Sequence, residues 1–165
     1  MSTGGDFDVA NKKRVDETKK FWKDIPNADI VDTRDIFIKS GTEDVLINWI
    51  ESHDIRFQAV FVPPQDDFHF EHRVVSNVGR ALTRKKRASV IEYYTPSTSH
   101  NWVPNVFIDI SSQYERKKNL LHVFKTQKDR NYFQPQCVDS FHTNYFCDKR
   151  VTGYVEQFRN DFLFI

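Results

Sequence analysis

The stretch Asp66-Asp67-Phe68-His69-Phe70-Glu71-His72 places two histidines and three carboxylates within seven residues. Imidazoles and carboxylates are the side chains that bind transition metals and move protons near neutral pH. His69 and His72 are three residues apart, so at a helix start they project to one side. A helix N-terminus disfavours imidazolium, which keeps a ligating ring neutral. Glu71 or one of the aspartates is placed to hold a ring nitrogen from behind. The same cluster also suits a polar loop whose carboxylates cap a helix. The spacing is not the His-Glu-x-x-His of zinc proteases. It also offers fewer obvious donors than the three protein ligands plus water of catalytic zinc.

The elements around this loop determine where it points. Gln58-Ala59-Val60-Phe61-Val62 is a continuous apolar run stopped by Pro63-Pro64. Continuous apolarity predicts a strand in the interior of a parallel sheet, buried on both faces. After the loop, Val74, Val75, Val78, Ala81 and Leu82 mark one face of a helix. That helix ends in Arg84-Lys85-Lys86-Arg87, which reads as a solvated end favoured by the helix dipole rather than a nucleic-acid patch. In open α/β sheets, ligands bind beyond the carboxyl ends of strands, where this loop lies.

Upstream, Val15, Thr18, Phe21 and Trp22 recur at helical spacing, with Asp8 as a cap and Pro26-Asn27 as the break. Ala28–Val31 is a short strand candidate. A helix from Thr42 carries Val45, Leu46, Trp49 and Ile50. Downstream, Val90–Tyr94 and Val106–Ile110 read as strands. Ser111 or Ser112 caps a helix running through Leu120, Leu121 and Phe124, and the aromatic stretch 131–147 is partly helical. Tyr154–Phe158 suits a last strand or a helical turn. Strands alternating with helices predict an α/β layered fold with a largely parallel sheet.

The length of 165 residues suits one domain, taken as 1–165. A net charge of +1 gives no reason to expect nucleic acid or a membrane surface as partner. No apolar run reaches the length of a membrane span, and the polar start has no signal-peptide character. Cys137 and Cys147 match no metal or redox spacing and read as reduced thiols in a cytoplasmic protein. No Gly-x-Gly-x-x-Gly fingerprint supports a dinucleotide binder. His122 and His142, alone in helical patterns, read as structural. Arg73, and Trp102 with His100 in a Ser/Thr-rich loop after a strand, are candidate substrate contacts. An aromatic in such a loop is equally suited to packing.

Asp67-Phe68-His69-Phe70-Glu71-His72-Arg73-Val74-Val75 resembles the Asp-x-His-x-Asp-His-x-x-Val motif of the PIG-L (LmbE-like) deacetylases. Other segments follow that family's order. Ser2-Thr3-Gly4-Gly5 is similar to the end of its second strand, and Arg14-Val15-Asp16-Glu17 to its Arg-x-x-Glu helix start. Val103–Ser111 is similar to its Pro-x-x-Phe-Val-Asp-Ile-Ser segment. Lys117 or Lys118 with Lys125-Thr126-Gln127 resembles its Lys…His-x-Ser-Gln helix, and Gly153–Phe158 its closing Tyr-x-Glu-x-Phe. Glu71 stands where Asp is usual, Phe124 where His is frequent, and Thr126 where Ser is usual.

The resemblance implies a Rossmann-like three-layer sandwich. It implies zinc-dependent, or other divalent-metal, removal of an acetyl group from an N-acetylated amino sugar such as N-acetylglucosamine or its conjugate. By resemblance His72 binds the metal, His69 stabilises the tetrahedral intermediate and acts as acid, and Glu71 and Asp67 complete the catalytic set. The family opens with a strand ending in His-Pro-Asp-Asp-Glu, and no His-Pro pair occurs in this sequence. Relative to the family the chain reads as N-terminally truncated, lacking the first strand, two zinc ligands and the base. Weak or absent zinc binding, little turnover and self-association are therefore expected of this polypeptide alone. The alternative is a catalytically inactive remnant or binding module of the same fold.

Overall fold

The computed structural model describes residues 4–28, 41–53, 56–86, 88–143 and 153–162. In chain order the elements are helix α1 (Gly4–Trp22), α2 (Glu43–Glu51), strand β1 (Ala59–Val62), α3 (Phe70–Lys86), β2 (Ser89–Tyr93), β3 (Val106–Asp109), α4 (Tyr114–Leu121), α5 (Pro135–His142) and β4 (Val155–Phe162). Contacts divide the chain into two units. One comprises Met1–Thr33 with Asp109–Val155, the other Arg34–Ile108 with Glu156–Ile165.

The second unit holds the loop of interest. β1 pairs in parallel with β2, Ala59 opposite Ser89 through Val62 opposite Glu92. A parallel pair needs a long crossover, and α3 supplies it. The apolar face of α3 (Val74, Val78 and Leu82) packs with Leu46 of α2, and Ile47 and Ile50 close the cluster. Acidic Glu43 and Asp44 sit in the first turn of α2, where the dipole favours them. Thr42 is the N-cap residue by position, although its side chain makes no capping hydrogen bond.

Strand order is β1-β2-β4-β3. β4 runs antiparallel to β2, Ile91 opposite Asn160 and Glu92 opposite Arg159, with an irregularity between Val90 and Ile91. It also runs against β3: the Asn105 amide donates to the Phe158 carbonyl and that of Ile110 to Tyr154, at 3.0 and 2.9 Å. The expectation of a largely parallel sheet is thus corrected. The architecture is mixed α/β, and among the described strands only β1–β2 is parallel. Helix–strand alternation identifies a crossover, but not where a last strand inserts. β1 is likewise corrected from an interior strand to an end strand of the described sheet. Phe61 is 55% exposed while Val62 is 1% exposed. One face is covered by α3, and on the other Phe61 meets the edge of Phe158, 5.9 Å away.

In the first unit α1 begins at Gly4, four residues before the expected cap at Asp8. The single helix expected from Ser111 to Phe124 is divided. A 3-10 turn spans Ser111–Gln113, α4 ends at Leu121, and another turn spans Lys125–Gln127. Ser111 caps no helix: its hydroxyl donates to Asp109 Oδ1 at 2.6 Å and accepts from the Tyr154 amide at 3.0 Å. Tyr114 is buried, stacks on Tyr154 and donates to Asp139 Oδ1. His142 has the structural role expected, with Nδ1 on the Val138 carbonyl and Nε2 against Lys117 Nζ. The strand expected at Ala28–Val31, beyond Ala28 itself, and Cys147 lie outside the described residues.

Gly79 marks the close approach of α3 to β1. A Cβ there meets Val62 Cγ1 and stands 3.3 Å from Val60 Cγ1. Gly79→Ala gains about 1 kcal/mol of helix propensity but overpacks this contact at a cost of about 1–3 kcal/mol. Urea unfolding should show net destabilisation, smaller than additive when Val62→Ala is combined with it. A stabilised Gly79→Ala protein would contradict the close approach.

Candidate functional site

Pro63-Pro64 ends β1, and Phe70 begins α3, so residues 65–69 must turn between two fixed elements. The turn closes with the Asp67 amide donating to the Pro64 carbonyl. It is then tied to the loop after β2, where the Phe68 amide donates to the Ser97 carbonyl at 2.9 Å. Asp67 lies at the centre, 1% exposed. Its Oδ2 accepts from Thr95 Oγ1 at 2.5 Å. Its Oδ1 accepts from Ser97 Oγ at 2.7 Å and from the His69 amide at 2.8 Å. His72 Nδ1 stands 3.1 Å from the same oxygen and 3.2 Å from Ser97 Oγ.

This network determines what His72 presents. An ionised carboxylate is only an acceptor, and the Ser97 hydroxyl spends its proton on Asp67. Nδ1 therefore carries the ring proton and donates it to Asp67, leaving the lone pair on Nε2. A carboxylate behind an imidazole, setting its tautomer and orientation, is the arrangement that supports a metal-binding or proton-accepting histidine. The His72 side chain is 34% exposed, so Nε2 can be reached.

His69 joins the same surface. Its ring lies 4.7 Å from that of His72 and 5.7 Å from that of Phe70, stacked on both. Glu71 does not hold His72. Its Oε2 is 4.0 Å from His69 Nδ1, both side chains partly exposed. The structure thus brings His69, His72, Asp67 and, loosely, Glu71 together. Asp67 is the orienting acid.

The three candidate substrate contacts are placed differently. Arg73 Nη1 donates to the carbonyls of Asp67 (2.7 Å) and Phe68 (3.1 Å), so its guanidinium braces the loop. Trp102 is 6% exposed, its Nε1 donating to Glu92 Oε2 at 2.8 Å and its ring facing the Arg159 guanidinium. It presents no free face, which corrects the stacking role. His100 is exposed and meets the edge of Phe68 at 6.4 Å. Phe68 and Phe70 are themselves 67% and 46% exposed, an aromatic rim beside the two histidines.

Sequence reasoning missed Thr95, Ser97 and Glu92. The first two lie in the Ser/Thr-rich loop already singled out, at the carboxyl end of the strand beside β1. Hydroxyls at that position were the available signal. Glu92 is fully buried and accepts from Trp102, Arg80 and Arg159, the last at 2.6 Å, while Arg80 also pairs with Asp161.

The zinc implied by the resemblance is only partly matched. His72 Nε2 suits a ligand, but Asp67 is 1% exposed and both its oxygens already accept from protein donors. Among the described residues no three His, Cys, Asp or Glu converge on one point. These residues do not by themselves make a zinc site.

Two other stretches singled out in the sequence meet in the first unit. Glu17 of α1 accepts from the Thr126 amide (2.9 Å) and hydroxyl (2.6 Å), across 109 positions of sequence. Arg14, one turn earlier, faces the Gln127 side-chain amide: with that amide turned so that its nitrogen donates to Tyr132, its oxygen accepts from Arg14 Nε at 2.8 Å.

No protein-family model matches the sequence, and no curated protein is similar enough to count as a relative. The structure is similar to the crystal structure of the conserved protein TT1542 from Thermus thermophilus. The TM-score is 0.62 at 16% identity, covering 93% of this chain and 76% of that one. At this identity the likeness speaks for the fold alone.

Burial pushes the Asp67 carboxyl up, but hydrogen bonds from Thr95, Ser97, the His69 amide and His72 outweigh it and hold its pKa below the ordinary value. A depressed folded pKa contributes stability that is present above about pH 4 and lost as pH falls through the folded value. Asp67→Asn should cost about 1–3 kcal/mol at pH 7, since it removes a buried acceptor. It should also flatten the loss of stability below about pH 4. Urea melts from neutral pH down to about pH 2.5 read both effects; a variant with wild-type stability and pH profile contradicts this role for Asp67.

Proposed function

We propose that this chain carries a hydrolase site of the sugar N-deacetylase type, acting on the amide of an N-acetylated amino sugar or its conjugate. The observation that carries the reading is the Asp67–His72 pair. A buried carboxylate, fed by two hydroxyls and an amide, turns one imidazole so that Nε2 faces outward beside a second imidazole. The parallel β1-α3-β2 unit supports the finer reading of a Rossmann-like layered fold, with the loop at the carboxyl end of β1. The meeting of Arg14-x-x-Glu17 with Thr126-Gln127 lends weight too, since both segments carry the sequence resemblance.

In this reading Asp67 positions His72, and Thr95 and Ser97 position Asp67. His72 Nε2 would be one donor to a divalent metal, zinc by resemblance, and the described residues bring no further His, Cys, Asp or Glu set to converge with it. His69 is the group that hydrogen-bonds to the oxygen developing charge at the amide carbon, with Glu71 near its Nδ1. The exposed Phe68, rather than Trp102, is the aromatic face available to the apolar side of a sugar ring.

A second reading, a binding module of the same fold without turnover, draws on the donor count among the described residues. Acetate release from an N-acetylglucosamine conjugate, with zinc added, separates the two. The hydrolase reading expects slow, chelator-sensitive release, reduced about 10²–10⁴-fold by His69→Ala or His72→Ala, the size of general acid–base assistance. Saturable sugar binding with no release supports the binding module. Neither release nor binding overturns both.

A further inference from the structure

A cavity lies entirely within the first unit and shares no residue with the histidine cluster. It measures about 320 Å³ and is walled by Leu121, Phe124, Phe133 and Val138, with Lys125 and Lys128 at its edge. That volume is at the lower end of small-molecule sites, which run from about 300 to 1,000 Å³, and suits one compact ligand. The wall is preformed. Val138 is buried, and the Phe124 ring is held between Phe21 at 5.3 Å and Phe133 at 6.1 Å. Two aromatic rings at an angle offer a face and an edge to a planar guest.

The lysines lining the cavity are not equally paired among the described residues. Lys118, also lining the cavity, is paired with Asp139 at 3.2 Å and Glu115 at 3.8 Å. Lys125 and Lys128 have no carboxylate partner among the described residues. Lys125 opens the short 3-10 turn Lys125–Gln127 and Lys128 follows it, three positions on, so both rise on one side of it. The exposed His122 ring stands at the same edge. Two ammonium groups without an ion-pair partner among the described residues, over an apolar floor, match a phosphate head, which lysines bind as point charges.

We propose that this cavity binds a small organic phosphate with a planar apolar body, of which a purine mononucleotide is the simplest form. The planar part lies against Phe124 and Phe133, and the phosphate lies between Lys125 and Lys128. This site is independent of the hydrolase reading.

The test is calorimetric titration of the 165-residue chain with AMP, inorganic phosphate and octanoate in parallel. AMP should bind saturably and at least about tenfold more tightly than inorganic phosphate, a difference of about 1.4 kcal/mol. The double variant Lys125→Glu/Lys128→Glu, and separately Phe133→Ala, should each weaken AMP at least about tenfold. Circular dichroism melts establish that each variant is folded, and the milder Lys128→Gln, expected to weaken AMP severalfold, replaces any that is not. Equal affinity for phosphate and AMP overturns the role of the apolar wall. Octanoate binding in place of AMP overturns the phosphate head. AMP binding unchanged in folded variants, or no saturable binding by wild type, overturns the site.

Discussion

The Asp67 carboxylate is shut away from water, and the candidate site takes its geometry from the way that charge is satisfied. A buried carboxylate without partners is prohibitively costly, so the chain must bring donors to it. It brings four. They come from the loop after β1, the start of α3 and the loop after β2. Each donor arrives with a defined direction, and the His72 ring is the one that extends outward. Preorganisation here is a consequence of burial: once Asp67 is inside, the imidazole has one orientation that satisfies it.

A second buried carboxylate, Glu92, holds the frame on which Asp67 depends. It collects Arg80 from α3, Arg159 from β4 and the Trp102 indole. Removing one partner of such a network leaves charge stranded in the interior, which costs about 3–5 kcal/mol. Glu92 also accepts a long hydrogen bond from the Gln65 amide, 3.4 Å away, at the first residue after the prolines. Arg159 reaches Asp66 in the same loop at 3.9 Å. The histidine-bearing loop is thus tied at Gln65 and Asp66 to the buried Glu92 and its partner Arg159.

Part of this was legible in the sequence. The apolar face of α3, the clustering of His69 and His72 and the parallel β1-α3-β2 crossover follow from local periodicity and spacing. The rest depends on contacts between distant segments. Thr95 and Ser97 are 28 and 30 positions from Asp67, and nothing local marks which hydroxyls will reach it. Trp102 in a polar loop looked available for a ligand, yet its indole serves a carboxylate ten positions away. Glu92 was visible as one charge inside Val90-Ile91-Glu92-Tyr93, and a charge in an apolar strand calls for buried partners. The antiparallel insertion of β4 between β2 and β3 had no such mark, because alternation and apolarity look alike in either direction.

The state of the His72 ring tests this account most directly. Long-range ¹H–¹⁵N correlation spectra of the imidazoles, taken where the ring is neutral, distinguish a protonated from an unprotonated ring nitrogen. The account predicts a single tautomer with the proton on Nδ1 and the lone pair on Nε2, collapsing to a mixture in Asp67→Asn. A His72 that carries its proton on Nε2, or exchanges freely between the two in the wild-type protein, would show that the buried carboxylate does not set the site.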